Sequence, residues 1–232
     1  MSPRPQKIWI TRAQPGADAT AVRVRALRHE PVIAPLLTVR RLEDVRVDLS
    51  GVMALAFTSA NAVWCFAELC DDRSSRVFAV GSATAEAARR AGFKRVLSAD
   101  GDVSALVEGI AVRRAEIGGV VLHPGAVDLA GDLAGELAKR KVEVRSLPLY
   151  DTVPTVLTAD ELAGVAGADV VLLHSPKAAE VLAGVLKAQP MPHLRILALS
   201  KAVLQPVARA KVSAKAFAPF PLEAAMLNLI DR

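Results

Sequence analysis

Cysteine, histidine and aromatic residues are all sparse in this chain, and each shortage removes a class of function. The two cysteines, Cys65 and Cys70, stand five residues apart on one predicted helix, pointing to different faces. That spacing fits neither a zinc site nor a dithiol redox motif, so they read as small buried thiols in a reducing cytoplasm. The four histidines, His29, His123, His174 and His193, show no metal-ligand spacing, and no H-E-x-x-H helix is present. Neither G-x-G-x-x-G nor G-x-x-x-x-G-K-[ST] occurs, which removes the usual nucleotide cradles. A G-x-S-x-G elbow, the mark of many hydrolases, is missing as well. The expectation is a protein that uses no cofactor and no metal. No apolar run approaches the ~18 residues of a membrane span, and Met1 to Lys7 lacks the apolar stretch of a secretory leader. The chain therefore reads as cytoplasmic, with no membrane partner.

Basic residues are in excess, giving a net charge of +5, but they are interspersed with acidic ones and form no block. A nucleic-acid surface would be clustered and paired with a recognition motif, so no nucleic-acid partner is expected. The excess suits a small acidic ligand or simple solubility.

What the chain does have is aliphatic: 52% of its residues are hydrophobic and only 4% aromatic, so its cores are built from Ala, Val and Leu. At 232 residues, one large or two small domains are expected, and an internal repeat decides for two. Ala54-Leu55-Ala56-Phe57-Thr58-Ser59-Ala60 returns as Val170-Val171-Leu172-Leu173-His174-Ser175-Pro176. Val77 to Ala83 returns as Arg195 to Lys201. Pro15-Gly16, a helix, then Glu30 to Thr38 returns as Pro124-Gly125, a helix, then Val142 to Asp151. So long a period is not that of a solenoid. It predicts two similar domains with a cleft between them.

Short apolar runs alternate with helical stretches, the rhythm of parallel sheets with crossover helices. The runs are Ile8–Ile10, Val32–Ile33, Met53–Phe57, Val77–Val80 and Val96–Leu97, then Val120–Leu122, Val142–Val144, Val170–Leu173, Ile196–Leu199 and Ala216–Ala218. Most are apolar throughout, as strands covered on both faces are. Helices are expected at Asp18 to Arg28, Ala83 to Ala91 and Val127 to Lys139. Two proline-bearing segments, near 35–41 and 147–154, break the rhythm at equivalent places and read as extended connectors. The first domain is then discontinuous, 1–37 with 153–232, and the second is 38–152.

In parallel sheets, ligands bind at the carboxyl ends of strands, where helix N-termini also point. Polar residues collect there: Thr11 and Arg12; Thr58, Ser59 and Asn61; Ser82 and Thr84; His123; His174 and Ser175; Ser200 and Lys201. Such serines commonly serve as helix caps, and Pro176 after Ser175 is the favoured first-turn proline. A capped terminus still offers N–H groups and positive dipole to an anion, so several around one cleft suit a polycarboxylate. The one tyrosine, Tyr150, falls where the copies differ, opposite Leu37. A lone tyrosine often only packs its ring, but a phenol with a pKa near 10 is also a proton donor at neutral pH.

These pieces together resemble the uroporphyrinogen-III synthase family. The likeness runs through Ile10-Thr11-Arg12-x-x-Pro15-Gly16, His29-Glu30-Pro31-Val32 leading into Pro35-Leu36, and Phe57-Thr58-Ser59-Ala60-Asn61-Ala62-Val63. It continues through Ala79-Val80-Gly81-x-x-Thr84-Ala85 and, most specifically, Leu149-Tyr150-Asp151-Thr152. The resemblance implies two similar flavodoxin-like α/β domains joined by a two-stranded linker. It implies a monomer that acts on hydroxymethylbilane, a linear tetrapyrrole with eight carboxylates, and closes it without cofactor or metal. It places Tyr150 as the acid that protonates the departing hydroxyl. Thr58, Ser59, Ser82, Thr84 and Ser175 align with hydroxyl residues of the family's cleft, while Arg12, Asn61, Ser200 and Lys201 join them as substrate-binding candidates. The chain departs from the pattern at Leu199-Ser200-Lys201-Ala202-Val203, where Val203 stands in place of a hydroxyl residue, and at Ala13, where proline is common. The alternative from another class is a two-domain binding protein for a small molecule, without catalysis. The scarcity of aromatic rings for stacking a sugar counts against it.

Overall fold

The computed structural model describes residues 4–129 and 131–231. In chain order the elements are β1 (Lys7–Ile10), α1 (Gly16–Ala26), β2 (Glu30–Ile33), β3 (Leu37–Arg41), β4 (Val52–Phe57), α2 (Ala60–Leu69), β5 (Arg76–Ala79), α3 (Ser82–Arg90), β6 (Val96–Ser98), α4 (Val103–Ala111) and α5 (Arg114–Ile117). They continue with β7 (Val120–Ala126), α6 (Leu133–Lys139), β8 (Val144–Pro154), α7 (Ala159–Ala166), β9 (Val170–Leu173), α8 (Pro176–Ala188), β10 (Arg195–Ala198), α9 (Lys201–Leu204), β11 (Ala214–Phe217) and α10 (Glu223–Leu227). The backbone divides into two compact units. One comprises residues up to Thr38 with those from Val153 onward, the other Val39–Thr152.

The first unit is built on a five-stranded sheet of order β11-β10-β9-β1-β2, parallel at every pairing. Successive residues of a strand face opposite sides of the sheet, and here both sides are covered. Ile8, Ile10, Val170, Leu172 and Leu197 pack on one face; Trp9, Val171, Leu173, Ile196 and Ala198 pack on the other. This is why the strands read as unbroken apolar runs. The Trp9 indole, fully buried, donates its Nε1–H to the Ala34 carbonyl at 2.8 Å.

The second unit uses a six-stranded sheet of order β3-β8-β7-β4-β5-β6, with β6, β5, β4, β7 and β8 parallel. Leu55, Phe57, Val77 and Leu122 face one side, and Ala54, Ala56, Phe78 and Val121 the other. Counted from β9, the order β11-β10-β9-β1-β2 of the first unit repeats the β6-β5-β4-β7-β8 of the second. The sequence repeat is therefore a repeat of strand positions.

Several local expectations need correction or refinement. The strand expected at Val142–Val144 starts at Val144 and runs on through the second connector, which is extended as expected, as one strand, β8. The first connector likewise forms β3, at the edge beside β8. Pro124-Gly125, expected to open a helix as Pro15-Gly16 does, lies inside β7, so His123 is within a strand rather than at its end. The helix expected from Val127 begins at Leu133, where the Asp132 side chain accepts from the Gly135 N–H at 2.8 Å. Cys70 ends α2 rather than lying within it, and both thiols are free. Among the described residues, no helix is long and apolar enough to cross a membrane.

Candidate active site

Each sheet has a point where the chain's direction of travel reverses, between β4 and β7 in the second unit and between β1 and β9 in the first. Ligands of open α/β sheets bind outside the carboxyl ends of strands at such points. The polar residues singled out from the sequence lie beside both.

In the second unit, β4 ends at Phe57 and delivers Thr58 and Ser59 to the start of α2. Ser59 is the N-cap, its Oγ accepting from the Ala62 N–H at 3.1 Å. The same oxygen lies 2.7 Å from the Tyr150 hydroxyl, presented by β8 two strands away. Tyr150 is only 5% exposed. Burial raises its pKa, against a smaller opposing effect of the Ser59 hydrogen bond, so the phenol holds its proton at neutral pH. Next to this pair, the Thr58 hydroxyl is 3.3 Å from His123 Nε2. Burial lowers the His123 pKa to about 4, and the ring is neutral. On the other side of β4, α3 opens after β5 with Gly81 as its cap and no side chain closing its first turn. Ser82 is the first helical residue there, and Thr84 is buried. Asn61 lies half-buried in the first turn of α2. Neither α2 nor α3 has an acidic residue in its first turn, so the positive ends of both dipoles are uncompensated.

In the first unit, β9 leads through His174 to Ser175, which caps α8 by accepting from the Ala178 N–H at 3.2 Å, with Pro176 in the first turn. This helix too opens without an acidic residue. β10 leads to Ser200, whose Oγ accepts from the Val203 N–H at 3.4 Å, and to exposed Lys201. Val203 is buried in the core. At the end of β1, buried Thr11 donates to the Leu172 carbonyl at 2.6 Å. Arg12 turns to Glu223, with 3.2 Å between Nη1 and Oε1; its own pKa is lowered by burial.

Sequence reasoning missed Glu223. Its carboxylate also meets Arg23 and the Thr20 hydroxyl and lies 3.0 Å from His174 Nε2. Four groups thus converge on one largely buried carboxylate at the reversal point. Burial, with Arg12 and Arg23 close by, pulls the His174 pKa to about 3, so that ring is neutral and donates its Nε2–H to Glu223. Arg12 is therefore partly neutralised by the protein itself. Of the sequence candidates, Thr58, Ser59 and Tyr150 are brought together with His123, and Ser82 and Thr84 follow the neighbouring strand. Arg12, Ser175, Ser200 and Lys201 belong to the first unit. Among the described residues, no group of three or more His, Cys, Asp or Glu is placed to hold a metal ion.

Parallel sheets whose reversal points carry hydroxyls, an arginine and a protonated tyrosine define the class: an α/β protein for small-molecule chemistry. The family model described as uroporphyrinogen-III synthase HemD matches residues 18–228, and the chain belongs to that family. Its reaction is the cyclisation of hydroxymethylbilane in tetrapyrrole biosynthesis. Among solved structures, the chain resembles uroporphyrinogen-III synthetase from Helicobacter pylori, at 16% identity and a TM-score of 0.66, covering 97% of each chain. It also resembles a mutant uroporphyrinogen III synthase from Thermus thermophilus, at 17% identity and a TM-score of 0.53, covering 96% of each chain. Comparison with curated proteins finds no matching sequence.

Proposed function

We propose that Tyr150 is the general acid of this cyclisation and that the hydroxyls and helix N-termini around it hold the substrate's carboxylates. The observation that carries the reading is the 2.7 Å contact between Tyr150 Oη and Ser59 Oγ at the acid-free N-terminus of α2. The phenol gives its proton to the departing hydroxyl, the C–O bond breaks, and water and an azafulvene cation result. Ser59 then turns its own O–H to the phenolate while still accepting from Ala62. The substituted carbon of the last pyrrole attacks the cation to form a spiro intermediate, which fragments and recloses with that ring inverted. The proton lost in forming the aromatic product returns to Tyr150. Folding the chain for that attack is an orientational task. In this reading Thr58, Asn61, Ser82 and Thr84 of the second unit bind substrate, as do Arg12, Ser175, Ser200 and Lys201 of the first.

The units are proposed to be flavodoxin-like domains, 1–37 with 153–232 and 38–152. The β2-β1-β9-β10-β11 order of the first supports this, with the segments near 35–41 and 147–154 as a two-stranded linker. The protein is proposed to act as a cytoplasmic monomer without nucleic acid; its interspersed charges favour the absence of a nucleic-acid partner.

The test is an isomer assay on freshly generated hydroxymethylbilane, with no cofactor added. The wild-type protein should give mainly the type III product, and Tyr150→Phe should slow turnover by roughly 10²–10³-fold with folding intact. A wild-type protein that yields only the spontaneous type I isomer would return the non-catalytic binding protein to the front.

A further inference from the structure

Thr58 and Ser59 are chain neighbours, yet their hydroxyls are committed differently. Among the described residues, Ser59 has two partners, Ala62 and Tyr150, whereas Thr58 has one, His123 Nε2 at 3.3 Å. His123 is 1% exposed, on the strand adjoining β4, and its Nδ1 is buried without a partner. The imidazole is neutral, so one nitrogen carries a hydrogen and the other a lone pair. With the hydrogen on Nδ1, a buried N–H would be orphaned, which folded proteins rarely tolerate; an unfilled acceptor lone pair is the lesser cost. The hydrogen therefore sits on Nε2 and is donated to Thr58 Oγ1. That hydroxyl accepts from the ring, and its own hydrogen is left to be donated elsewhere.

We propose that His123 is a positioning residue that fixes the Thr58 hydroxyl as a hydrogen-bond donor to a carboxylate of the substrate. The proposal rests on the reading that a polycarboxylate binds at the carboxyl end of this sheet, and it adds a residue that touches no substrate atom. Gly125 packs beside the ring: a Cβ there would make ordinary contact with His123 at 3.7 Å from Nε2, and its close approach, 2.8 Å, would be to Leu129.

The tautomer is read first, on the free protein, by ¹⁵N NMR of the imidazoles, with the His123 signal assigned by its loss in His123→Asn. An Nε2–H ring is expected; an Nδ1–H ring overturns the proposal. Three variants then follow in the cyclisation assay. His123→Gln places an amide N–H near the Nε2 position, whereas His123→Asn places it near Nδ1 and His123→Leu has none. His123→Gln should hold KM close to wild type. The other two should raise KM about tenfold, as the loss of one hydrogen bond to a charged group does, with kcat within about twofold. Thr58→Val should match them, and Thr58→Val with His123→Leu should be no worse than either alone. Unchanged KM in His123→Leu, or equal losses in the Gln and Asn variants, would overturn the role. If His123→Leu fails to fold, the Gln and Asn pair still decides. Should the wild-type protein give only type I product, the parent reading fails, and that failure is separate because the tautomer is read without substrate.

Discussion

His123 and His174 are both neutral, deeply placed imidazoles, and that makes their cost appear in acid. Their folded pKa values, about 4 and about 3, lie below the ordinary 6.5, so on acidification the unfolded chain takes up protons first. Stability from these residues is fully present above about pH 6.5 and is lost as pH falls toward those folded values. Well below pH 6.5, each should contribute a slope approaching about 1.4 kcal/mol per pH unit. Urea denaturation between pH 7 and 5, above the range where most carboxylates titrate, should show it. His123→Gln should remove about half the slope, and an unchanged slope would mean the His123 ring is hydrated in the folded protein. At this scale the sequence was legible where a hydroxyl follows an apolar run, as with Thr58 and Ser59 after β4 and Ser175 after β9. Glu223 was not, because nothing in a short C-terminal amphipathic stretch says that its carboxylate will meet Arg12, Arg23 and His174. Those contacts exist only once α1, α10 and the ends of β1 and β9 are packed together.

Among the elements, α2 and α8 begin alike, each with a serine in extended conformation accepting from the N–H three residues on. Their cap serines should nevertheless respond differently. Ser175→Ala should lower stability by ~1 kcal/mol, the usual value of a cap, and as a substrate-binding residue its loss should raise KM with little change in kcat. Ser59→Ala should cost a similar amount of stability and lower kcat, because it removes the hydroxyl bonded to Tyr150. Thermal melts paired with the kinetics of the isomer assay separate the effects; an equal kcat in both variants would remove Ser59 from the proton transfer. Helices and parallel strands were readable from periodicity and apolar runs. The continuity of β8 was not, because Pro148 argues against a strand interior and split it into a short strand and an extended connector. The structure accommodates that proline next to a register shift, where Gly125 pairs Pro148 and Ala126 already pairs Tyr150. The early helix start after Val127 failed for a related reason: β7 runs on through Pro124-Gly125 to Ala126, and Asp132 was the cap to look for.

For the molecule as a whole, the repeat is legible in sequence because equivalent strands fill equivalent sheet positions, but the two copies use the chain differently. β4 to β7 and most of β8 follow one another within Val39–Thr152. In the first unit the strands equivalent to β7 and β8 are β1 and β2, which come before β9 in the chain. There Asp169 accepts the Lys7 N–H at 2.7 Å, the Asp231 carboxylate lies 3.2 Å from His29 Nε2, and Glu223 ties α10 to β1 and α1. A fragment of residues 39–152 should therefore fold alone, with cooperative unfolding and dispersed NMR signals, since both faces of its sheet are covered by its own side chains. Residues 153–232 alone should not, because β9 would expose the edge and apolar faces that β1 covers. Adding a peptide of residues 1–38 should restore structure, and Glu223→Gln in the larger piece should weaken that association by breaking the contacts to Arg12 and Arg23. A well-folded 153–232 fragment, or a molten 39–152 fragment, would show that the contacts within each unit do not suffice to define a domain.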